Sequence, residues 1–292
     1  MIGLETPASA EPAFPRLLRP AAAPVTMERA RGHARLRFKA EGGVTRLDEF
    51  FQSGSAKIRL PRVEPGAPTE AVLINTAGGV TGGDHLVYEI AAGAGTHAVI
   101  STQAAERIYR RSAGTAHIET RITVASGARL DWLPQETILF DNSSLLRRLS
   151  IDVAADSRLL AVETIILGRA AMGEAVRNVI VGDSWRVRRD GKLIFADGLR
   201  LDDDATAIMR GGATGSGAIA LATLLLVAPD AESHLETARQ ALETTLGEAG
   251  VSAWNGMLVA RFAAPAGHLL RADLVKLVQS LRAAPMPRVW SL

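Results

Sequence analysis

Cysteine is absent from all 292 residues, and this removes disulfides, thiolate nucleophiles and thiolate metal sites together. A metal would have to be held by histidine or carboxylate. The six histidines, His33, His85, His97, His117, His234 and His268, stand one at a time, without the paired spacing of a locked nickel or zinc site. Lysine is scarce: Lys39, Lys57, Lys192 and Lys276 are the only four, and the net charge is +2. The arginine clusters Arg107, Arg110, Arg111 and Arg186, Arg188, Arg189 are interspersed with acids and apolar residues, which suits a solvated face and not a nucleic-acid surface. The longest apolar run, Ala218 to Ala228, is too short for a bilayer span, so no membrane class is expected. No basic-then-apolar leader opens the chain, and the expected address is cytoplasmic. The G-x-S-x-G elbow, the H-E-x-x-H zinc motif and a Walker lysine are all missing.

What is present is a short, regular beat of apolar strands. Leu36 and Phe38 alternate with charged residues up to Gly42-Gly43, and Ala56 to Leu60 and Ala71 to Asn75 follow. Leu86 to Ile90, His97 to Thr102, Ile118 to Val124 and Leu149 to Val153 continue the series, separated by glycine-rich or polar turns. TAGGVTGGD, Thr76 to Asp84, carries four glycines but misses both phosphate-loop spacings, so a tight turn between strands is the expectation. Gln103 to Arg111 fits either one helical turn or an irregular crossing. Pro134 splits Leu130 to Asp141, because it cannot donate to a ladder. Asp190-Gly191 between Trp185 and Phe195 is the turn of a hairpin. Gly211 to Gly217 reads as a flexible connector.

Helical spacing is confined to the C-terminal quarter. Asp230 is placed to cap a helix with Leu235, Ala238, Leu242 and Leu246 on one face, ending at Gly247. Leu270, Leu274, Leu277, Val278 and Leu281 give a second stripe, stopped by Pro285. The expected class is mainly β, a β-helical or layered-sheet scaffold with two α-helices in that quarter. Residues 1–24, with five prolines, read as a flexible tail, and residues 25–292 as one β-rich domain whose α/β part begins near residue 218.

The stretch Leu159 to Glu174, LLAVETIILGRAAMGE, looks like a central strand covered on both faces, yet Glu163 stands in its middle. A carboxylate there must neutralise, pair or border a wet cavity. Two readings stay open: a buried pair with an arginine, or a polar passage through the interior. Glu136 poses the same question beside Ile138 and Phe140. With Asp84, Glu106, Asp141 and Glu174 these carboxylates are the candidates for general acid and base work, although nothing in their spacing selects that role.

Taken together, INTAGGVTGGD at Ile74 to Asp84, STQAAERIYRR at Ser101 to Arg111, LDWLPQETILFD at Leu130 to Asp141 and ETIILGRAAMGE at Glu163 to Glu174 resemble the urease accessory protein UreD family, also called UreH. The terminal PRVW, Pro287 to Trp290, is similar to that family's end. The resemblance implies a β-helical scaffold with two helices and no catalytic activity. It implies partnership with accessory protein UreF and the GTPase UreG, docking onto apo-urease, and nickel in transit with no cofactor held stably. On that reading Glu163, Glu136, Asp84 and Glu174 would line or gate a nickel path, because carboxylates ease a cation through without trapping it. The rival from another class is a carboxylate-dependent hydrolase or lyase on a β-solenoid, with Glu136 and Glu163 as acid and base.

Overall fold

Alternating apolar residues make strands, and here the strands coil. The computed structural model describes residues 28–169 and 172–291; the proline-rich tail expected at residues 1–24 lies outside them. Strands β1 (Arg31–Glu41) and β2 (Val44–Gly54) form a hairpin around Gly42 and Gly43, and β3 (Ala56–Arg59) runs antiparallel to β4 (Thr69–Asn75). Then β5 (His85–Ala92), β6 (His97–Thr102) and the short β7 (Glu106–Ile108) make one coil, and β8 (Ala116–Val124), β9 (Arg129–Leu133) and β10 (Thr137–Leu139) make the next. A third is made by β11 (Ser144–Val153) and β12 (Arg158–Leu167), whose last three residues pair with β10. Successive coils stack in parallel register, β5 on β8 on β11 in one sheet and β6 on β9 on β12 in the other, with β7 on β10 as a short third face.

One more parallel strand, on β11, and then antiparallel strands close the stack. β13 (Val179–Arg189) turns at Asp190-Gly191 into β14 (Lys192–Asp203), as the hairpin signal required. After α1 (Ala205–Arg210), β15 (Ala220–Val227) pairs with β12; α2 (Leu235–Ala241), β16 (Glu248–Trp254), β17 (Met257–Ala264) and α3 (Gly267–Arg282) complete the order. The sheets read β14-β13-β11-β8-β5-β1-β2 and β16-β17-β15-β12-β9-β6-β4-β3. The class is mainly β with solenoid-like stacking. Between the sheets lies one apolar core, and a second fills the space between α3 and the outer face of β12, β15 and β17. The α3 stripe Leu270, Leu274, Leu277, Val278 and Leu281 is buried there, as its spacing demands.

Several expectations change. The glycine loop after β4 is not the expected tight turn between strands but a longer crossing from one sheet to the other. Gly79 has φ 144°, and a Cβ on it would stand 2.4 Å from the Tyr109 ring, so glycine lets the loop lie against the neighbouring coil. Gln103 to Arg111 is the irregular crossing, with β7 at its centre. Strand β2 went unseen because it is an edge strand with mostly exposed residues on both sides, which erases the alternation. Helix α2 stops at Ala241, six residues before Gly247, and the Asp230 side chain makes no cap; its carboxylate is taken by Arg158 and His234 instead. Helix α1, absent from the sequence reading, is capped by Asp204, which accepts from the Ala207 amide at 2.8 Å. The loop after it, residues 211–217, is tied by turn hydrogen bonds back to Gly211 and Met209, so it is not a loose connector.

Candidate functional site

Three strands aim charge into the core between the sheets. The inward stripe of β12 is Leu159, Ala161, Glu163, Ile165 and Leu167, and its outward stripe of Leu160, Val162 and Ile166 packs toward the helices. Opposite, Leu145, Leu149, Ile151 and Val153 of β11 leave Arg147 pointing inward, and Val179, Val181, Trp185 and Val187 of β13 do the same for Asp183. Arg147 and Asp183 are register neighbours. All three charged residues are buried, with 6%, 8% and 7% exposure for Arg147, Asp183 and Glu163.

Their hydrogen bonds account for every guanidinium nitrogen. Arg147 Nε and Nη2 donate to Asp183 at 3.0 and 2.6 Å, a forked pair, while Nη1 donates to Thr137 Oγ1 at 2.9 Å and to Glu163. Trp132 Nε1 donates to the other Glu163 oxygen at 2.9 Å. Burial pulls the Arg147 guanidinium toward release of its proton, but Asp183 and then Glu163 more than offset this and hold it charged. Burial raises the Glu163 carboxyl above its ordinary value, with Arg147 opposing the rise and Asp183 adding to it.

Cavities flank this trio on both sides. A cleft of about 430 Å³ between the splayed ends of the sheets is walled by Arg147, Glu163 and Asp183 within and by Asp197, Glu248 and Arg261 toward solvent. A chamber of about 40 Å³ lies beyond, and it shares Arg147 and Glu163 with the cleft. That chamber shares Tyr88, Thr102 and Glu106 with a third cavity of about 190 Å³, whose outer wall holds exposed Gly78, Gln103 and Ala104. The three cavities thus adjoin through shared wall residues, with the first at the β14–β17 end and the third at the glycine loop. Glu106 accepts from Asn75 Nδ2 at 3.0 Å, and burial pushes its carboxyl up to about 7.

Of the four residues expected to line a cation path, only Glu163 borders these cavities. Glu136 sits in a separate groove under α3, paired with Arg271 at 2.6 Å. Asp84 accepts from the Ala30 and Thr81 amides, both at 2.8 Å, and braces the glycine loop. Glu174 accepts from Arg169 Nε at 2.8 Å and from the Asp141 amide at 3.2 Å; the Arg169 bond holds its carboxyl below the usual range. The structure thus does not bring the four together, because strand direction and loop bracing decide where each points. Glu163 is paired with Arg147, as the buried-pair reading expects, and it also borders two cavities. With Glu136 and Glu163 in different cavities, the acid–base pair of the hydrolase reading has no site. Among the described residues no group of three or more His, Asp or Glu is placed to hold a metal.

Arg147 and Asp183 escaped the sequence reading, although each breaks an apolar period-2 stripe as Glu163 does. In β11 the sequence alternation is clean only from Leu149 onward, which leaves Arg147 outside it. Glu106 carries no signal in the sequence beyond its carboxylate, since β7 is too short to show a period.

Comparison with known proteins settles the lineage. Residues 30–291 match the family model described as UreD urease accessory protein. The chain belongs to the UreD family. A urease accessory protein UreD of Rhizobium rhizogenes is 50% identical over 273 residues, covering 93% of this chain and 99% of that protein. Those of Azorhizobium caulinodans and Xanthobacter autotrophicus are 47% and 48% identical, over 91% and 90% of this chain and 97% and 91% of theirs. UreD membership gives the chain a role in urease maturation, as an accessory and not as a catalyst. The terminal PRVW is used structurally here: Trp290 is buried, donates to the Leu133 carbonyl at 3.0 Å and lies under Arg271, 4.4 Å from its ring centre.

Proposed function

We propose that the chain is a scaffold of urease maturation that bridges UreF and the GTPase UreG to apo-urease and gives nickel a path to the active site during GTP-dependent insertion. The observation that supports the path is the row of three adjoining cavities that share wall residues between the sheets. A water-sized site needs roughly 10–15 Å³ of such space, so the middle chamber of about 40 Å³ has room for a few waters but not for a full hydration shell. An ion crossing it must exchange water for protein oxygens, and Glu163 and Glu106 stand on its wall. Oxygen ligands without a closed cage suit cargo in transit and not a resident cofactor. No described helix is long and apolar enough to cross a membrane; a cytoplasmic scaffold acting on apo-urease is the setting we assign.

The test is Glu163→Gln, which keeps size and the Trp132 hydrogen bond while removing charge. Urease matured with this variant is expected to carry substoichiometric nickel, measured by elemental analysis of the purified enzyme. Normal nickel content would retire the path. Co-purification of the chain with UreF, UreG and urease checks the bridging separately.

A further inference from the structure

Two residues, Arg147 and Glu163, are common to the walls of the outer cleft and the inner chamber, so their ion pair is the partition between the two. The partition is a charge bound to charges. All three guanidinium nitrogens are engaged, by Asp183, Glu163 and Thr137, and the two carboxylates outnumber the one cation.

We propose that Arg147 is the gate of the passage, a tethered cation that occupies the Glu163–Asp183 carboxylate pair and yields it to a divalent cation. This rests on the nickel-path reading above. The charge balance favours exchange over addition. With both carboxylates ionised the trio carries a net charge of minus one; a divalent ion added beside Arg147 would make it plus one, whereas the same ion with Arg147 withdrawn makes it zero. In a dry interior the neutral arrangement costs least. Withdrawal has somewhere to go, because Arg147 already faces the cleft of about 430 Å³, whose wall carries Asp197 and the exposed Glu248. At rest, the gate keeps monovalent ions from an unoccupied carboxylate pair.

The experiment is a titration of the full chain with Ni²⁺ alone, read by isothermal calorimetry or equilibrium dialysis. Arg147→Gln frees both carboxylates and is expected to bind Ni²⁺ at least tenfold more tightly than the unaltered chain, and Arg147→Gln with Glu163→Gln is expected to lose that gain. A variant Arg147→Gln that folds and binds no better than the unaltered chain overturns the gate. Should Arg147→Gln fail to fold for want of a counter-charge, Arg147→Lys keeps the net charge at minus one but loses the fork that holds Asp183 and Glu163 together. It must still bind Ni²⁺ more tightly than the unaltered chain, and equal affinity overturns the proposal in the same way. The path and the gate fail separately. Normal nickel in urease matured with Glu163→Gln retires the path, whereas the Arg147 titrations report on the gate without any urease present.

Discussion

Strand β12 divides two interiors of opposite character. On its outer side Leu160, Val162 and Ile166 meet Leu224, Leu226, Leu258 and the α3 stripe in an apolar layer. On its inner side Leu159, Ala161 and Ile165 belong to a layer just as well buried, but with Glu163, Arg147 and Asp183 set in it and cavities on either hand. The outer layer is what hydrophobic burial alone would build. The inner one is not, since replacing a buried ion cluster by apolar groups of similar volume is often neutral or stabilising. Stability alone therefore does not call for the charges there, and the apolar layer on the helix side is the one built by burial.

The sharpest way to break this contrast is to damage the apolar side. Trp290→Ala removes a buried ring, its bond to Leu133 and its stack under Arg271, and is expected to cost about 3–5 kcal/mol. Leu277→Ala, at 0% exposure on α3, should cost about 2–5 kcal/mol. Both are read as shifts in the denaturant midpoint. Under conditions where the variants remain folded, nickel delivered per folded molecule should be unchanged. A fall in delivery that outran the loss of folded protein would show that the two interiors are coupled after all.

How far the sequence spoke for itself follows the same division. The α3 stripe, the Asp190-Gly191 hairpin and the break at Pro134 were legible because each is a local signal, spacing or turn chemistry, that needs no partner. So was the burial of β12 on both faces, from Leu159 to Leu167. The coiling of parallel strands was not, since register between β8 and β11 is a long-range fact with no local mark. The site was half legible for a related reason. Glu163 stands out in a run that is apolar on both sides, whereas Arg147 and Asp183 sit in alternating strands where every second residue is polar anyway, and only strict period-2 reading from the first residue of the strand exposes them. Asp84 and Glu174 stand out as carboxylates beside the glycine loop and the β12 stretch, but backbone amides claim Asp84, and Arg169 together with backbone amides claims Glu174.

Glu106 sharpens the comparison through pH. Its carboxyl is raised from 4.5 to about 7 by burial, so between those values the unfolded chain has lost the proton that the folded chain keeps. Fewer protons on the unfolded state means stability falls as pH rises across that window, by up to about 3 kcal/mol, and levels off above it. Glu106→Gln removes the term. The difference in unfolding free energy between variant and unaltered chain should therefore grow from pH 4.5 to 7 in favour of the variant, followed by denaturant titrations at several pH values. A difference that stays flat would mean Glu106 is solvated and the third cavity is ordinary surface.

The smallest effect is the most instructive about distance. Arg239 and Glu236 on α2 approach to 2.7 Å, nearly as close as the 2.6 Å between Arg147 and Asp183. Yet their side chains are 57% and 73% exposed, against 6% and 9% for the buried pair. Water has screened the first pair before it forms, and holding two long side chains in place costs entropy. Arg239→Ala should change stability by about 0.5 kcal/mol or less, and by less still in 1 M salt. Breaking the Arg147 side of the buried pair should instead cost about 3–5 kcal/mol, largely the penalty of leaving carboxylates uncompensated, and salt should barely alter it. If the two substitutions proved equally mild in thermal unfolding, the inner layer would have to be wet throughout, and the partition between cleft and chamber would be open without any gate.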